Sequence, residues 1–427
     1  ILQHYCTYYA DDEDEQKKNS IKNAAENWDA PVIITTYVQF FESLYDHKRH
    51  ALRKLHNMAD SILIFDEAHL LPEEYLQPAL QSIAFITKYL NSEAFFLTAT
   101  MPNFKELIQK YALASSIIVD LVPNKADFAA FQKCSFENIG QISIEKLITT
   151  AQSSPSALIV VNTRQKARDI YQGLSGEKYH LSTYMTSFDR KNTIAQIKLS
   201  LQKLQDDFSL HTDIPPERRI TVVSTSLIEA GVDLDFYCVL RELAGIDNIL
   251  QAAGRCNREG KLENAKTFIF SLEDERHRAI SQKYQYAKEN LQQFADIASP
   301  ESIDAYYRKL FSDKNNNIEK YRLRNYCSDI RSIPFKSYAE DFQLIRSNIS
   351  VFVAENEESR LLLDSLLQGS SNKRLLQKYT LSIYENELQQ LQQQHAVENY
   401  DGVWVLRNND YYDPKTGIRF EGHDYII

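Results

Sequence analysis

The sequence predicts an α/β fold built on parallel sheets, and three observations support this prediction. Short apolar runs recur along residues 31–270 with helical stretches between most of them, which is the pattern of βαβ units. The run at 62–65 does not alternate between apolar and polar residues, as is typical of strands buried on both faces of a parallel sheet. Charged and hydroxyl side chains directly follow several runs, where open α/β sheets bind their ligands.

The individual elements are assigned from these patterns. Apolar runs predict strands at 31–35, 61–65, 94–98, 157–161, 219–223, 236–240 and 265–270. Helical stretches are predicted at 37–59, 72–90, 164–174 and 189–208. The charge run at 10–20 predicts a mobile loop. After about residue 271 the strand pattern stops, and the rest is predicted to be a polar helical stretch followed by a small mixed domain.

Composition and charge limit the class of protein. The chain of 427 residues is 43% hydrophobic and 25% charged, which is ordinary for globular proteins, and no apolar run is long enough to predict a membrane span. The five cysteines are scattered and form no CxxC pair, which predicts a reducing, cytoplasmic location. The formal net charge is −10, so a nucleic-acid partner would require local basic patches.

Two acidic residues end the predicted strand at 61–65, in the stretch SILIFDEAHLLPEE. Asp66 and Glu67 fall just beyond the carboxyl end of the strand, where ligands of open α/β sheets bind. Taken alone, the tetrapeptide DEAH fits a strand followed by an acidic helix start equally well.

Four further segments place polar residues at strand ends or on a helix. LTATMP contains Thr98 and Thr100, IVVNT ends in Asn162 and Thr163, VVSTSLIEAGVDLD includes Gly231 and Asp233, and QAAGRCNR contains Gln251, Arg255 and Arg258. The spacings of four and three in the last segment predict one face of a helix. Each segment alone is more often ordinary strand-exit or surface-helix chemistry. In this order and spacing, together with DEAH, they resemble motifs II to VI of superfamily 2 helicases.

This resemblance implies two RecA-like lobes, the first of them incomplete. The implied domains are the rear of the first lobe at 1–122, the second lobe at 123–272, a helical linker at 273–324 and an accessory domain at 325–427.

The resemblance also implies ATP hydrolysis with Mg²⁺. Asp66 would hold the metal through a water, because Mg²⁺ keeps much of its hydration shell, and Glu67 would orient and deprotonate the attacking water. Arg258 would be the arginine finger, since a planar guanidinium suits phosphate. His69 would reach across to Gln251 of the second lobe. The residues expected to contact ATP or couple the lobes are His69, Thr98, Thr100, Gly231, Asp233, Gln251 and Arg255.

Translocation requires contacts to a nucleic-acid backbone as well. Hydroxyl and amide donors at strand ends bind phosphates without reading the base sequence. The candidates are Thr35, Thr36, Asn162, Thr163, Ser224 and Thr225. The same residue types cap helices, so both roles stay open, and one residue can serve both.

A narrower resemblance extends over nearly the whole chain. The segments AENWDAPVIITTYVQFFESL, RKLHNMADSILIFDEAHLLP, STSLIEAGVDLDF and QAAGRCNREGK resemble the CRISPR-associated helicase-nucleases of type I interference systems, and IPFKSYAEDFQLI, KYTLSIYENEL and GVWVL resemble the accessory domain of that family. Asp189 departs from the family, which usually has histidine there. The resemblance implies ATP-driven, 3'-5' translocation on single-stranded DNA, with a guide-RNA surveillance complex as partner and a nuclease domain that receives the displaced DNA.

One motif that the resemblance requires does not occur in the sequence. No GxxxxGK[ST] pattern is present among the 11 glycines, so the phosphate-binding P-loop and the nuclease domain are expected N-terminal to Ile1, in the same polypeptide or in a second chain. Another superfamily 2 RNA helicase or DNA-repair translocase remains an alternative. A third possibility is a non-catalytic nucleic-acid-binding subunit that kept the fold.

Overall fold

The computed structural model describes residues 2–4, 24, 26–71, 73–98, 104–111, 118–122, 132–208, 214–229, 231–273, 281–312, 320–327, 334–344, 349–368, 373–407 and 409–420. Thr100 and the loop predicted at 10–20 lie outside these residues. The chain divides into two compact units, one of Ile1–Asn124 with Pro300–Arg346 and the other of Lys125–Ser299 with Ser347–Ile427. No described helix has the length and apolar character needed to cross a membrane.

The first unit begins with two pairs of parallel strands. Strands β1 (Leu2–His4) and β2 (Ile33–Thr35) form one pair, and β3 (Ile62–Asp66) and β4 (Glu93–Leu97) form the other. The helices are α1 (Tyr37–Tyr45), α2 (Arg49–Leu52), which continues as a 3-10 turn (Arg53–Met58), α3 (Glu73–Tyr89) and α4 (Phe104–Tyr111). The strands predicted at 31–35, 61–65 and 94–98 are confirmed within two residues.

The prediction of one continuous helix over 37–59 is wrong. Helix α1 stops at Tyr45 because Asp46 adopts an extended backbone conformation, and its carboxylate accepts a hydrogen bond from the backbone N–H of Lys48 at 3.0 Å. Such a local side-chain bond offers the backbone an alternative to the helix. The aromatic residues of α1 form part of the core, since Phe40 and Phe41 pack on Phe65 with ring centroids 5.3 and 5.9 Å apart.

The prediction that the strand at 62–65 is buried on both faces is also wrong. Phe65 is buried, but Ile62 and Ile64 are 66% and 64% exposed. Within the described residues β3 pairs only with β4, and side chains alternate between the two faces of a strand. One face therefore packs on the core while the face with Ile62 and Ile64 is left open.

The second unit is built on a six-stranded parallel sheet with the order β5-β10-β9-β6-β8-β7. Its strands and helices along the chain are β5 (Ser135–Ile142), α5 (Ile144–Gln152), β6 (Ser156–Val160), α6 (Arg164–Gly173), β7 (Glu177–Leu181), α7 (Ser187–Phe208), β8 (Ile220–Ser224), β9 (Cys238–Glu242), α8 (Ile246–Ala253), β10 (Lys266–Leu272) and α9 (Gln282–Gln293). The inner strands β6, β8 and β9 are buried throughout. The sequence patterns missed β5 and β7, because these two edge strands are polar and only partly buried.

The described part of the predicted helical linker contains two helices, and they divide between the two units. Helix α9 belongs to the second unit, whereas α10 (Pro300–Ser312) belongs to the first, together with α11 (Phe335–Asp341) of the predicted accessory domain. Aromatic contacts explain the second assignment, since Tyr75 of α3 stacks on Tyr321 at 4.5 Å and donates a hydrogen bond to the carbonyl of Gln343 at 2.5 Å. The domain boundaries predicted from the sequence remain a prediction.

The C-terminal part is small and mixed, as predicted. Its four-stranded sheet has the order β12-β11-β14-β13 and contains parallel and antiparallel pairs. Its elements are β11 (Ile349–Phe352), α12 (Glu357–Leu367), α13 (Lys373–Leu376), β12 (Thr380–Ile383), α14 (Glu385–Gln393), β13 (Val397–Tyr400), β14 (Val403–Leu406) and the short pair β15 (Tyr412–Asp413) and β16 (Gly417–Ile418).

The β15–β16 pair packs directly on the backbone that follows β7. The backbone N–H of Ile418 donates to the carbonyl of Tyr184 at 3.0 Å, and the guanidinium of Arg168 donates to the carbonyl of Ile418. A Cβ atom at Gly417, whose φ is +79°, would lie 2.4 Å from the carbonyl carbon and oxygen of Tyr184. The contact therefore joins main chain to main chain and depends on glycine at position 417.

Asp189 lies in the same contact, in a buried polar cluster. Its carboxylate accepts hydrogen bonds from the hydroxyls of Thr186 at 2.6 Å and Tyr412 at 2.5 Å. Glu355 forms a hydrogen bond with this carboxylate. Burial, followed by the negative charges of Asp189 and Asp413, raises the pKa of Glu355 to about 7. Glu355 therefore holds a proton at a pH where an ordinary glutamate is ionised.

This raised pKa predicts that the second unit loses stability as the pH rises. The folded chain binds the proton of Glu355 more tightly than the unfolded chain, so the stabilisation is complete below the unfolded pKa near 4.5 and is lost as the pH rises through about 7. Glu355→Gln should remove this component, since the amide keeps a donor without titrating. The unfolding free energies of wild type and variant are measured by urea denaturation from pH 5 to pH 8. As the pH rises, wild type should lose stability relative to the variant. Parallel pH profiles would contradict this assignment.

Candidate nucleotide and nucleic-acid site

The carboxylates of the DEAH segment lie at the carboxyl end of β3. Asp66 is the last residue of the strand and is exposed, and its Oδ1 accepts a hydrogen bond from the backbone N–H of Glu67 at 3.1 Å. Glu67 adopts a left-handed conformation with φ of 52°. This conformation is costly for residues other than glycine and is concentrated at functional sites. The turn thus presents both carboxylates at the sheet edge.

His69 and Thr98 meet beside these carboxylates. The Nδ1 atom of His69 lies 2.6 Å from the hydroxyl of Thr98 and 3.4 Å from Oε2 of Glu67, and the imidazole is buried. Because β3 and β4 are parallel neighbours, their carboxyl ends share one edge of the sheet. Three of the residues predicted to act in ATP hydrolysis are therefore brought together.

Tyr37 belongs to the same cluster and was not identified from the sequence. Its hydroxyl donates to the main-chain carbonyl of Asp66, and its ring stacks on Phe65 at 6.1 Å. Burial, and then the negative charges of Asp66 and Glu67, hold the pKa of Tyr37 well above its usual range. A neutral phenol therefore fixes the backbone that carries the carboxylates. Its position directly after Thr35 and Thr36 was the available signal.

The paired threonines at the end of β2 have different local roles. Thr36 caps α1, since its side chain accepts a hydrogen bond from the backbone N–H of Gln39 at 3.2 Å. The capping role that was left open for it is thereby confirmed. Thr35 is the last residue of β2 and is half-buried. Binding of a nucleic-acid backbone by these residues stays a prediction.

In the second unit Arg258 pairs with Asp233. Their side-chain atoms Nε and Oδ1 are 2.9 Å apart, and both side chains reach solvent. The carboxylate of Asp235 holds the turn by accepting hydrogen bonds from the backbone N–H groups of Arg258 at 2.7 Å and Glu259 at 3.3 Å. Gly231 has a φ of +73° and open space around it. Asp233 and Arg258, which are both predicted to act at the nucleotide, thus lie together at the protein surface.

The prediction that Gln251, Arg255 and Arg258 share one face of a helix is wrong. Helix α8 contains Gln251 but ends at Ala253, where Gly254 caps it. The chain then turns, because Asn257 adopts a φ of 49° and its backbone N–H donates to the carbonyl of Phe236 at 2.9 Å, while the backbone N–H of Phe236 donates to the carbonyl of Arg255 at 2.9 Å.

Arg255 points inward from this turn. Its guanidinium is buried and donates to the carbonyls of Ile228 at 3.1 Å and Glu229 at 2.9 Å. In this arrangement Arg255 fixes the segment after β8. Its predicted contact with ATP stays a prediction, and so does the contact between His69 and Gln251.

The candidate nucleic-acid contacts of the second unit are largely engaged within the protein. Asn162 accepts from Arg241 at 2.8 Å and donates to the carbonyl of Leu243 at 2.9 Å. Thr163 caps α6. Ser224 is fully buried and donates to the carbonyl of Thr225, which is itself 8% exposed. The side chain of Ser224 therefore faces the interior, and phosphate binding by these four residues remains untested.

The donor set at the edge of β3 fits a metal–nucleotide complex better than a protein-only metal centre. Among the described residues, no group of three or more His, Cys, Asp or Glu side chains could hold a metal ion. Mg²⁺ is usually held by one or two carboxylates together with phosphate oxygens and waters. The exposed carboxylate of Asp66 fits that arrangement.

Comparisons of sequence agree with this geometry. The model of the DEAD/DEAH box helicase family matches residues 2–107, and that of the C-terminal part of the CRISPR-associated nuclease/helicase Cas3 matches residues 153–261. The CRISPR-associated nuclease/helicase Cas3 of Haloferax volcanii is 24% identical over 338 residues, covering 58% of this chain and 35% of that protein. The putative Cas3 of Methanocaldococcus jannaschii is 24% identical over 277 residues, covering 61% and 36%. The chain spans about a third of these relatives.

Solved structures show the same fold. The crystal structure of T. fusca Cas3 with ADP has a TM-score of 0.60 at 15% identity, covering 91% of this chain and 57% of that one. A chain of a CRISPR RNA-guided surveillance complex in a pre-nicking state has a TM-score of 0.54 at 13% identity, covering 95% and 63%. At such low sequence identities, the likeness is evidence for the fold alone. The structural matches confirm the predicted fold class, α/β with RecA-like lobes and an accessory domain.

Proposed function

We propose that this chain, a superfamily 2 helicase close to Cas3, is the motor part of an ATP-driven translocase that moves along single-stranded DNA in type I CRISPR interference. The observation that carries this proposal is the cluster of Glu67, His69 and Thr98 beside Asp66 at the shared edge of β3 and β4. It joins a water-activating carboxylate to the neighbouring strand. A change at the nucleotide can thereby be passed to the rest of the lobe.

Each charged group has a chemical task in this scheme. When bound, Mg²⁺ would supply charge neutralisation to the phosphates, and Asp66 would hold it. Glu67 accepts the proton of the attacking water, and the guanidinium of Arg258 stabilises the negative charge that develops on the transferred phosphoryl group. Arg258 must leave Asp233 to do so. Exposed ion pairs are worth only about 0–1 kcal/mol, so this exchange costs little.

Arg258→Lys tests this assignment in the complete protein. Lysine keeps the charge but loses the planar fork, so kcat should fall by roughly a hundredfold while ATP affinity changes little. Steady-state ATPase measurements with single-stranded DNA give both parameters. Arg360→Lys is the matched control, because Arg360 is an exposed arginine in the accessory domain. If both variants stayed within a few-fold of wild type, Arg258 would be a surface residue only.

The phosphate cradle of this site is proposed to come from residues outside the present sequence. Backbone N–H groups and the lysine of a P-loop supply much of the affinity for the β- and γ-phosphates, and the sequence contains no such motif. The 427-residue chain alone should therefore bind ATP too weakly for turnover. The complete protein, or the chain assembled with a P-loop segment, should hydrolyse ATP.

The experiment compares these two forms. ATP turnover is measured with no nucleic acid, with single-stranded DNA and with RNA of the same length. Stimulation of the complete protein by DNA over RNA supports the proposal, whereas a preference for RNA would favour an RNA helicase. Absence of ATPase activity in the complete protein would favour the alternative of a non-catalytic nucleic-acid-binding subunit. Robust hydrolysis by the isolated chain would overturn the proposed division of the site.

The partners follow from the same proposal. The solved surveillance complex that contains a chain of this fold supports a guide-RNA complex as partner. Displaced single-stranded DNA would be passed to a nuclease domain carried elsewhere in the complete protein. Binding of DNA should weaken steeply with salt, because phosphate contacts release counterions.

A further inference from the structure

A buried ionic network lies at the carboxyl ends of the inner strands of the second unit. At its centre is Arg241 of β9, whose side chain is 2% exposed. Its Nε lies 2.9 Å from Oε1 of Glu229, and its Nη1 donates to Oδ1 of Asn162 at 2.8 Å and to the carbonyl of Glu242 at 2.7 Å. One guanidinium thus contacts two other segments of the chain as well as the end of its own strand.

On one side the network fixes the segment that starts α6. Glu242 is buried, and its Oε2 accepts a hydrogen bond from the backbone N–H of Asn162 at 2.6 Å. Its other oxygen forms an ion pair with Lys166 in the first turn of α6. Asn162 is therefore held through both its main chain and its side chain, directly before Thr163.

On the other side the network reaches the turn that carries Arg258. The carboxylate of Glu229 accepts a hydrogen bond from the amide of Asn248 in α8 at 2.8 Å, and its main-chain carbonyl accepts one from Arg255 at 2.9 Å. Burial raises the pKa of Glu229, while the charge of Arg241 opposes that rise. Arg255 lies three residues before Arg258, in the same turn.

Such a network is not explained by stability alone. Removing charges from water is costly, and replacing a buried ion pair by apolar residues is often neutral or stabilising. The arrangement also suits arginine, because its contacts use two different nitrogens of a rigid planar fork, whereas the three donors of a lysine ammonium all lie on one nitrogen.

We infer that Arg241 is a positioning residue that couples the segment Asn162–Thr163 to the turn of Arg255 and Arg258, so that engagement of nucleic acid at one changes the other. The inference rests on the proposed function, in which the first segment faces the DNA backbone and the second faces ATP. Arg241 itself contacts neither ligand. Its contribution is to hold the two segments in a fixed position relative to each other.

The first test uses hydrogen exchange on the 427-residue chain and needs no ATPase. A single-stranded oligonucleotide is added, and protection is followed in peptides that cover 162–166 and 255–258. In wild type both peptides should gain protection. In Arg241→Lys only the first should respond. If wild type shows no response at 255–258, or if the variant shows the wild-type response there, the inference is wrong.

A matched control separates coupling from general loosening. Arg219→Lys changes a half-buried arginine just before β8, at the opposite end of the sheet, where it donates to the carbonyls of Ile214 and Gln152. This variant should keep both responses. If Arg241→Lys does not fold, the double variant Glu229→Gln with Arg241→Met replaces both partners of the ion pair, so that neither charge is left buried without its partner. Hydrogen exchange of the same two peptides is then measured in this double variant.

The second test measures ATPase in the complete protein. Arg241→Lys should leave turnover without DNA unchanged and lower the stimulation by single-stranded DNA by about tenfold. Equal stimulation in variant and wild type would overturn the inference. Absence of DNA stimulation in wild type would instead count against the proposed function, and the exchange experiment would still decide the role of Arg241.

Discussion

Glu67→Gln in the complete protein is expected to lower ATP turnover by orders of magnitude while ATP binding persists. Glutamine keeps the size of the side chain and its hydrogen bonds, but its amide cannot take the proton of the attacking water. Glu67 lies at the carboxyl edge of β3, 3.4 Å from the buried imidazole of His69. The measurement is single-turnover and steady-state hydrolysis beside nucleotide binding.

Glu93→Gln is the control for this experiment. Glu93 is an exposed glutamate at the amino end of β4, and it pairs with Ile62 at the opposite end of the same two strands. Its substitution should leave turnover unchanged. Near-normal turnover in Glu67→Gln would remove Glu67 from the role of general base.

Gly417→Ala should produce the largest loss of stability among the glycine substitutions considered. The new Cβ would lie 2.4 Å from main-chain atoms of Tyr184 and 2.7 Å from the backbone nitrogen of Met185. The φ of +79° alone costs roughly 1–2 kcal/mol for alanine, and overpacking against backbone adds about 1–3 kcal/mol. The unfolding free energy should therefore fall by about 2–5 kcal/mol.

Gly402→Ala isolates the first of these costs, that of the positive φ. Gly402 has a φ of +80°, but its Cβ would meet nothing within 4 Å. The difference between the two variants in urea denaturation therefore measures the clash with Tyr184. Equal losses would mean that the hairpin of β15 and β16 does not pack against this backbone in solution.

Much of the fold could be predicted because apolar runs mark inner parallel strands. The runs that became β6, β8 and β9 were found within two residues, since strands buried on both faces contain almost only apolar side chains. The edge strands β5 and β7 carry no such run. Their pairing is set by the neighbours β10 and β8, which a local pattern does not contain.

The candidate site, like the fold, could be predicted only in part from the sequence. The edge of β3 was predictable because Asp66, Glu67 and His69 are adjacent in sequence and follow a clear strand. The position of Arg255 was not predictable, because it depends on the end of α8 at Ala253 and on the left-handed conformation of Asn257. Tyr37 gave only its position after the paired threonines as a local signal, because its contact is with Asp66, 29 positions away. Arg241 gave none, because it acts through burial in the sheet and through contacts such as that to Asn162, 79 positions away.

The open face of β3 has a practical consequence for work with this chain. Exposed apolar surface such as that of Ile62 and Ile64 favours self-association in water. Association of this kind grows with protein concentration and obscures denaturation midpoints and binding isotherms. Dilute samples, compared across a concentration series, are therefore the conditions under which the properties of a single chain are measured.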